Sequence, residues 1–234
     1  MELDCHYTGT RLNPYRARFD ARHSMNYAAA VSDVNPVYFD DERAGGILAP
    51  PMFSVALTWP ILENIGAYIL AETFPRDLLL TQVHHTEHLR FHRPVIPGED
   101  LSVRGHIAAI LPHRAGTRVV ICLEAQDAND RPVFTEYLGA MLRGVTCRGG
   151  GRGEADLPAA PSAPDAVDAI WEEAVFIEPE RPHIYDGCTG IVFPIHTSRW
   201  FARQVGLPGI ILQGTATLAF AAREIVNREA AGDP

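Results

Sequence analysis

Four of the ten histidines in this 234-residue chain lie close together, at His84, His85, His88 and His92. Histidine is the commonest metal ligand among side chains, so the cluster raises the possibility of a metal site. On a β-strand, alternation would place His84, His88 and His92 on one face, with neighbours about 13 Å apart at roughly 3.3 Å per residue. That spacing is too wide for a shared ion. A helix would bring them together, but the Pro-Gly turn and the strand-like residues that follow argue against a helix, so the sequence predicts no metal site.

Two similar short segments lie far apart in the chain. Asn35-Pro36-Val37-Tyr38 and Phe193-Pro194-Ile195-His196 both place proline and an aliphatic residue before an aromatic ring. Gly46-Ile47-Leu48 and Gly209-Ile210-Ile211 follow them, each before a helix-like stretch. The matching order favours an internal duplication, although coincidence between two loop-to-helix junctions would give the same pattern. His196 could transfer a proton near neutral pH, or it could be a buried histidine bonded to a backbone carbonyl.

The residues around the first segment predict a mixed α+β unit. Ala21–Ser32 suits a short helix that ends at Asp33, and Pro51–Ala71 predicts a long buried helix bent at Pro60. Strand-like runs separated by turn residues come next, at Thr81–Val95, Glu99–Leu111, Arg118–Asp127 and Val133–Leu142. With an opening strand near Leu12–Phe19, the sequence predicts a five-stranded antiparallel sheet wrapped on a helix.

The residues around the second segment predict a shorter unit. Residues 147–168 are rich in Gly, Pro and Ala and indicate a linker between an N-terminal unit at 1–146 and a second unit at 169–234. In the second unit, Trp171–Ile177 predicts a strand and Thr215–Arg228 predicts a helix. A helix without a sheet exposes its apolar face. We therefore expect another chain, a rearranged first unit or a further C-terminal stretch to cover it.

Several segments taken together resemble the MaoC-like dehydratases, which are built from two hotdog units. In the first unit the matching segments are YAAAVSDVNP at Tyr27–Pro36, GGILAPPMF at Gly45–Phe53, RFHRP at Arg90–Pro94 and PGED at Pro97–Asp100. In the second unit they are PIHT at Pro194–Thr197 and GLPGIILQGT at Gly206–Thr215. The resemblance covers nearly the whole chain except the linker. It implies an α+β hotdog fold with one complete unit and a truncated second unit.

The resemblance also implies the residues of a site. In this family an Asp and a His act on the α- and β-carbons of an enoyl thioester and on water, while a backbone N–H beside the central helix holds the thioester oxygen. His196 matches the catalytic His. Gly214 matches the glycine that supplies the N–H, a role that suits the start of a helix. The family's Asp is absent from the second unit, where Gly190 and Ile191 stand at its place, and Phe193 replaces the usual Asn.

The first unit departs from the family pattern in the opposite way. Asp33 and Asn35 match, but Tyr38 stands in the His position, so neither unit holds a complete dyad. Asp33 could supply the missing carboxylate if the two units share a cleft, or it could only end the preceding helix through local hydrogen bonds. Gln213 replaces the usual His before the glycine. The positions expected to contact substrate are Asn35, Tyr38, Gln213 and Thr215, although Tyr38 could equally pack in the core.

The implied function is a (3R)-type enoyl-CoA hydratase or 3-hydroxyacyl-thioester dehydratase that needs no cofactor. Its partners would be an acyl-CoA or an acyl-carrier-protein thioester, together with a like or unlike chain that completes the second unit. The absent Asp favours an alternative, a non-catalytic subunit that binds acyl thioesters or a partner. A hotdog thioesterase would need a carboxylate aimed at the carbonyl carbon, and the only candidate, Glu63, fits poorly.

Composition narrows the remaining classes. Hydrophobic residues make up 47% and charged residues 21% of the chain, as in globular proteins. The net charge of −9 disfavours binding to a phosphate backbone, so we expect no nucleic-acid partner. We also expect no signal peptide and no membrane span. The cysteines lack CxxC spacing and indicate reduced thiols in a cytoplasmic protein; they are Cys5, Cys122, Cys147 and Cys188.

Overall fold

The computed structural model describes residues 1–159 and 171–234, so residues 160–168 of the predicted linker lie outside the described part. Two strands and three helices come first: β1 Glu2–Asp4, β2 Tyr15–Arg18, α1 Ala21–Ala30, α2 Phe53–Glu63 and α3 Ile65–Tyr68. Five strands follow: β3 Gln82–Phe91, β4 Asp100–His113, β5 Gly116–Gln126, β6 Pro132–Arg143 and β7 Thr146–Arg148. The second unit contains α4 Arg181–Thr189, α5 Arg199–Gln204 and α6 Gly214–Glu229.

The N-terminal unit is a five-stranded sheet wrapped on α2. The strand order is β2-β4-β5-β6-β3, and every neighbouring pair is antiparallel. Alternate residues of β5 face the helix and are buried, among them Val119, Ile121 and Leu123. Because α2 is apolar on nearly all sides, it is buried in the core. The predicted five strands and the α+β hotdog arrangement are confirmed.

The long helix continues through the proline at which the sequence predicts a bend. α2 continues through Pro60 to Glu63, and the backbone leaves the helical region at Asn64, where φ is −114° and ψ is 28°. The Asn64 Nδ2 donates to the Pro60 carbonyl at 3.3 Å, and α3 then adds a short turn. The proline therefore costs α2 one backbone donor, while the backbone leaves the helical region four residues later, at Asn64.

The second unit repeats the opening elements of the first. Helices α1 and α4 pack together, and the buried hydroxyls of Tyr27 and Tyr185 lie 2.9 Å apart. Each tyrosine precedes the proline of its motif by the same number of residues (36 − 27 = 194 − 185 = 9). Each motif forms a 3₁₀ turn, Pro36–Tyr38 in one copy and Pro194–His196 in the other. The order of helix, 3₁₀ turn and long helix therefore occurs twice, as a duplication predicts.

The predicted strand at Trp171–Ile177 is wrong, because this segment has no regular secondary structure. A strand needs the backbone groups of a neighbouring strand, and within the described residues none lies beside it. Side chains hold the segment against α6 instead. The Trp171 Nε1 donates to Glu229 at 2.5 Å, the Arg228 guanidinium lies 4.8 Å from the Trp171 ring, and Val175 and Ile177 contact the core.

Helix α6 is bound to the N-terminal unit along one face. Ala216, Ala219 and Phe220 are buried in the core that the N-terminal unit also forms. The Arg223 Nη1 donates to the Val31 carbonyl at 2.6 Å.

No helix within residues 1–159 and 171–234 is both long and apolar enough to cross a membrane.

Candidate active site

His196 lies on the 3₁₀ turn that follows α4 and is partly exposed. Its Nδ1 is 2.9 Å from the Ile211 carbonyl oxygen. Because a carbonyl can only accept, Nδ1 carries the proton and Nε2 keeps its lone pair. Burial lowers the pKa of His196 below its ordinary value, while the Ile211 hydrogen bond and the charge of Asp186 partly oppose the shift. His196 is therefore neutral at neutral pH and can act as a general base.

Gly214 is the first residue of α6 and is exposed. Its N–H has no acceptor within the helix and lies at the positive end of the helix dipole. A Cβ built on Gly214 would meet no atom within 4 Å outside its chain neighbours and its own helix backbone, so open space adjoins its α-carbon. Ile211, which binds His196, precedes Gly214 by three residues. A neutral imidazole and a free backbone donor thus occupy the same end of α6.

Gln213 and Thr215 flank Gly214, and both side chains are buried. The Gln213 Nε2 donates to the Pro182 carbonyl of α4 at 2.9 Å, whereas its Oε1 is buried without a hydrogen-bond partner in the described chain. Thr215 neighbours the hydroxyl of Tyr185. Gln213 therefore ties the start of α6 to α4, and its Oε1 remains free to accept from a ligand.

Asp33 lies at the other end of α6. Burial raises the pKa of Asp33, and the backbone of Asn35, the side chain of Asn227 and the charge of Arg223 oppose the shift. Asn227 follows Gly214 by 13 residues (227 − 214), which is about 20 Å along a helix. The structure therefore separates Asp33 from His196 and Gly214, and this separation argues against a cleft that all three share. Asp33 instead ends α1, with its Oδ1 accepting from the Asn35 N–H at 3.1 Å.

The first copy of the motif has no room for a substrate. Tyr38 is 1% exposed, and the Asn35 Nδ2 donates to the Gly232 carbonyl at 2.7 Å. The cavity between Tyr38, Pro51 and α6 has a volume of about 10 Å³, enough for a single water at most. Pro51, the counterpart of Gly214, has no N–H to donate. Because Asn35 and Tyr38 are packed in the interface with the second unit, this arrangement argues against the expectation that they contact substrate.

Asp186 on α4 is a candidate that the sequence did not reveal. Its Oδ2 is buried and has no hydrogen-bond partner among the described residues, and its charge acts on His196. No motif marks this position. It directly follows Tyr185, and the matched spacing of Tyr27 and Tyr185 would have assigned Asp186 to the second copy of helix α1.

The four clustered histidines lie on or just after β3, as predicted, and each has its own neighbour. A bulge between His84 and Thr86 interrupts the alternation. His84 lies beside Glu87, and His85 lies beside His113. His88 lies beside Tyr137, and His92 lies beside Thr135. In the described part of the chain no three metal-ligating side chains come together.

Comparison with known proteins connects this geometry to one group of enzymes. A family model described as "FAS1-like, dehydratase domain region" matches residues 6–136, and one described as "MaoC like domain" matches residues 167–232. The chain is 28% identical, over 236 aligned positions, to 3-hydroxyacyl-thioester dehydratase Y of Mycobacterium tuberculosis, covering 97% of this chain and 77% of the relative. It is 25% identical to the probable enoyl-CoA hydratase 2 of Dictyostelium discoideum, covering 50% and 39%.

A solved structure has the same fold. A MaoC-like dehydratase from Phytophthora capsici matches with a TM-score of 0.81 at 20% identity, covering 97% of this chain and 78% of that one.

Proposed function

Because this chain belongs to the MaoC-like and FAS1-like dehydratase family, we propose that it reversibly adds water to an α,β-unsaturated acyl thioester. We propose a (3R)-3-hydroxyacyl thioester as the product, with CoA or acyl carrier protein as the thioester carrier. One observation carries the proposal. His196 is hydrogen-bonded to the carbonyl of Ile211. Ile211 precedes Gly214 by three residues, and the Gly214 N–H, at the start of α6, has no acceptor within the helix.

These two groups supply the main requirements of the reaction. Hydration needs a base for water, a proton for the α-carbon and a donor at the thioester oxygen, where negative charge develops. The Nε2 of His196 is available to take a proton from water. The Gly214 N–H, at the positive end of α6, is available to the thioester oxygen. Asp33 takes no part in this proposal.

The surroundings of His196 suit an acyl thioester. Phe193 and Trp200 are 44% and 72% exposed and offer apolar surface to an acyl chain. Arg199 and Arg203 on α5 are also exposed, and we propose that they meet the phosphates of CoA or of the carrier-protein prosthetic group. The four free cysteines fit the reducing cytoplasm, where we propose that the protein acts.

A second candidate is a non-catalytic subunit that binds acyl thioesters or a partner chain. Ile191 favours it, because this buried aliphatic residue occupies the place of the family's Asp and cannot transfer a proton. The outer edge of β3 has no partner strand among the described residues. A like or unlike chain could pair there and complete the second unit.

The test is the hydration of a short trans-2-enoyl-CoA, followed by the loss of its ultraviolet enone absorbance. We expect turnover by the wild-type protein, and a decrease of at least about a hundredfold in His196→Ala, the low end for a general acid or base. Chiral chromatography of the hydrolysed product gives the stereochemistry. If the wild-type protein is inert with acyl chains of every length tested, the proposed enzymatic activity is contradicted. The non-catalytic subunit is then the better-supported function.

Gly214→Pro tests the backbone donor, because proline removes the N–H and its ring and fixed φ are tolerated at the first position of a helix. Gln213 has φ −59° and ψ 135°, the extended backbone that a residue before proline prefers. We expect kcat to fall by about a hundredfold to a thousandfold, as when one oxyanion donor is lost. Gly214→Ala keeps the N–H and is the matched control. Equal activity of the two variants would exclude the Gly214 N–H from the reaction.

A further inference from the structure

Helix α4 carries a carboxylate that no described side chain engages. Asp186 is only partly exposed, and its Oδ2 is buried without a hydrogen-bond partner in residues 1–159 and 171–234. Buried polar groups in folded proteins are nearly always paired, and the exceptions tend to mark a bound water, an ion or a catalytic role. The Asp186 Oδ2 therefore requires a donor that the described chain does not provide.

Asp186 faces the end of α6 that holds the proposed site. Pro182 and Asp186 are four residues apart on α4 and share one face of that helix. The Gln213 Nε2 donates to the Pro182 carbonyl at 2.9 Å, so this face packs against the start of α6. Helix α4 also packs against the 3₁₀ turn of His196, and the charge of Asp186 acts on that imidazole. Asp186 thus lies in the same small region as His196 and Gln213.

Three acceptors without partners lie on the elements that meet in this region. The Oδ2 of Asp186 and the Oε1 of Gln213 are buried without partners in the described residues, and the Nε2 of His196 keeps a lone pair. A site lined with acceptors binds a molecule with several donors. Water carries two O–H donors on one atom, and it is also the second substrate of a hydratase.

We propose that Asp186 holds the reacting water, in place of the aspartate that the family carries at the position of Ile191. This inference rests on the proposed hydratase function. In it, Asp186 accepts one O–H of the water and the His196 Nε2 accepts the other. The missing carboxylate is thereby supplied five residues earlier in the chain (191 − 186), from a helix instead of the loop that follows it.

The reaction step then balances. The water oxygen bonds to the β-carbon while its proton passes to the His196 Nε2, and the π electrons of the C=C bond move to the thioester oxygen, which the Gly214 N–H stabilises. The protonated Nε2 next delivers its proton to the α-carbon, which restores the thioester C=O and the neutral imidazole. The second hydrogen of the water stays on the new 3-hydroxyl group, hydrogen-bonded to Asp186.

The test compares three variants in the enoyl-CoA hydration assay. Asp186→Asn keeps the shape of the side chain, and we expect kcat to fall by at least about a hundredfold with KM changed much less. Glu180→Gln removes an exposed carboxylate at the start of the same helix, where it caps no N–H, and should retain wild-type kcat and KM. Asp33→Asn should also retain activity, because Asp33 lies at the opposite end of α6.

Thermal unfolding separates catalysis from folding. Asp186→Asn should unfold at the wild-type temperature or above, because it removes a buried unpaired carboxylate oxygen; Asp186→Ser serves in its place if the Asn variant does not fold. A kcat within threefold of wild type in Asp186→Asn, or a loss confined to Asp33→Asn, would overturn this inference while leaving the hydratase intact. An inert wild-type protein would overturn both.

Discussion

A buried pair of glutamates should make this protein less stable as the pH rises. Glu136 on β6 is fully buried, and the side chain of Glu87 on β3 is 4% exposed, with its Oε2 3.1 Å from the His84 Nε2. Burial raises the pKa of Glu136 well above its ordinary value and the charge of Glu87 raises it further, whereas Thr58 and His84 oppose the shift. Glu136 is therefore protonated in the folded protein at neutral pH.

The sign and size of the effect follow from proton linkage. Above pH 4.5, the ordinary pKa of glutamate, the unfolded chain loses a proton that the folded protein keeps. The stabilising contribution is complete below that pH and decreases as the pH rises towards the folded pKa, by about 1.4 kcal/mol per pH unit. Between pH 5 and pH 7, Glu136 alone should lower the free energy of unfolding by about 3 kcal/mol.

Glu136→Gln removes this titration with little change of shape. For a protein of this size, 1 kcal/mol of stability corresponds to about 2–4 °C in melting temperature. Between pH 5 and pH 7 the melting temperature of both proteins should fall. The fall should be smaller in the variant than in the wild type, by about 6–12 °C. Circular dichroism melts at pH 5, 6, 7 and 8 measure the difference. Glu63→Gln, at an exposed site at the end of α2, should follow the wild type. Glu87, whose pKa burial raises to about 8, and His84 remain in all three proteins, so the comparison isolates the loss of the Glu136 carboxyl. Parallel pH dependence of Glu136→Gln and the wild type would refute the reasoning.

Two further predictions concern His196 and the buried tyrosine pair. Because burial lowers the pKa of His196 below 6.5, the acidic limb of kcat/KM against pH should lie below pH 6.5; a limb at higher pH would mean that another group is the base. Tyr27→Phe should lower the free energy of unfolding by about 1–2 kcal/mol, because it leaves the buried Tyr185 hydroxyl without this partner. The double variant with Tyr185→Phe should cost less than the sum of the single changes, and strict additivity in urea unfolding would show that the hydroxyls are not coupled.

The sheet could be predicted because its signals are local. Apolar alternation marks each strand of the N-terminal unit, and Gly, Pro, Asn and Asp mark the turns between them. The strand predicted at Trp171–Ile177 has the same local pattern, but a strand also requires a paired neighbour, and within the described residues this segment has none. Local pattern therefore predicts the capacity to form a strand, and pairing decides whether it forms.

The sequence pattern does not predict helix α4, although both ends of this helix carry clear signals. Pro182 lies in its first turn, and Gly190 ends it with a φ of 71°, the usual positions of proline and glycine at the two ends of a helix. Its short apolar face gave no periodicity strong enough to reveal it. Asp186 lies on α4. Because the sequence does not predict this helix, it also does not predict that the Asp186 carboxylate lies near His196.

His196 and Gly214 could be predicted from the motif because both lie in one short stretch around the start of a helix. The pairing with Asp33 could not be tested in sequence, since nothing there tells which end of α6 meets α1. The structure decides it: Arg223 donates to Val31, so the C-terminal half of α6 meets the end of α1, beside Asp33.

The two copies of the motif differ in what their polar residues do, and the best-matched polar residues lie in the first copy. In the first copy, the Asn35 Oδ1 accepts from the Val37 N–H and caps its 3₁₀ turn, so Asn35 is retained by local structure alone. In the second copy, Phe193 gives its turn no side-chain cap, yet His196 and an exposed glycine N–H remain. Under the proposed function, the side chains that stabilise a turn and the side chains that perform chemistry thus lie in different copies. A motif match therefore identifies the turn, and we propose the second copy as the catalytic one because it offers an exposed N–H and accessible space.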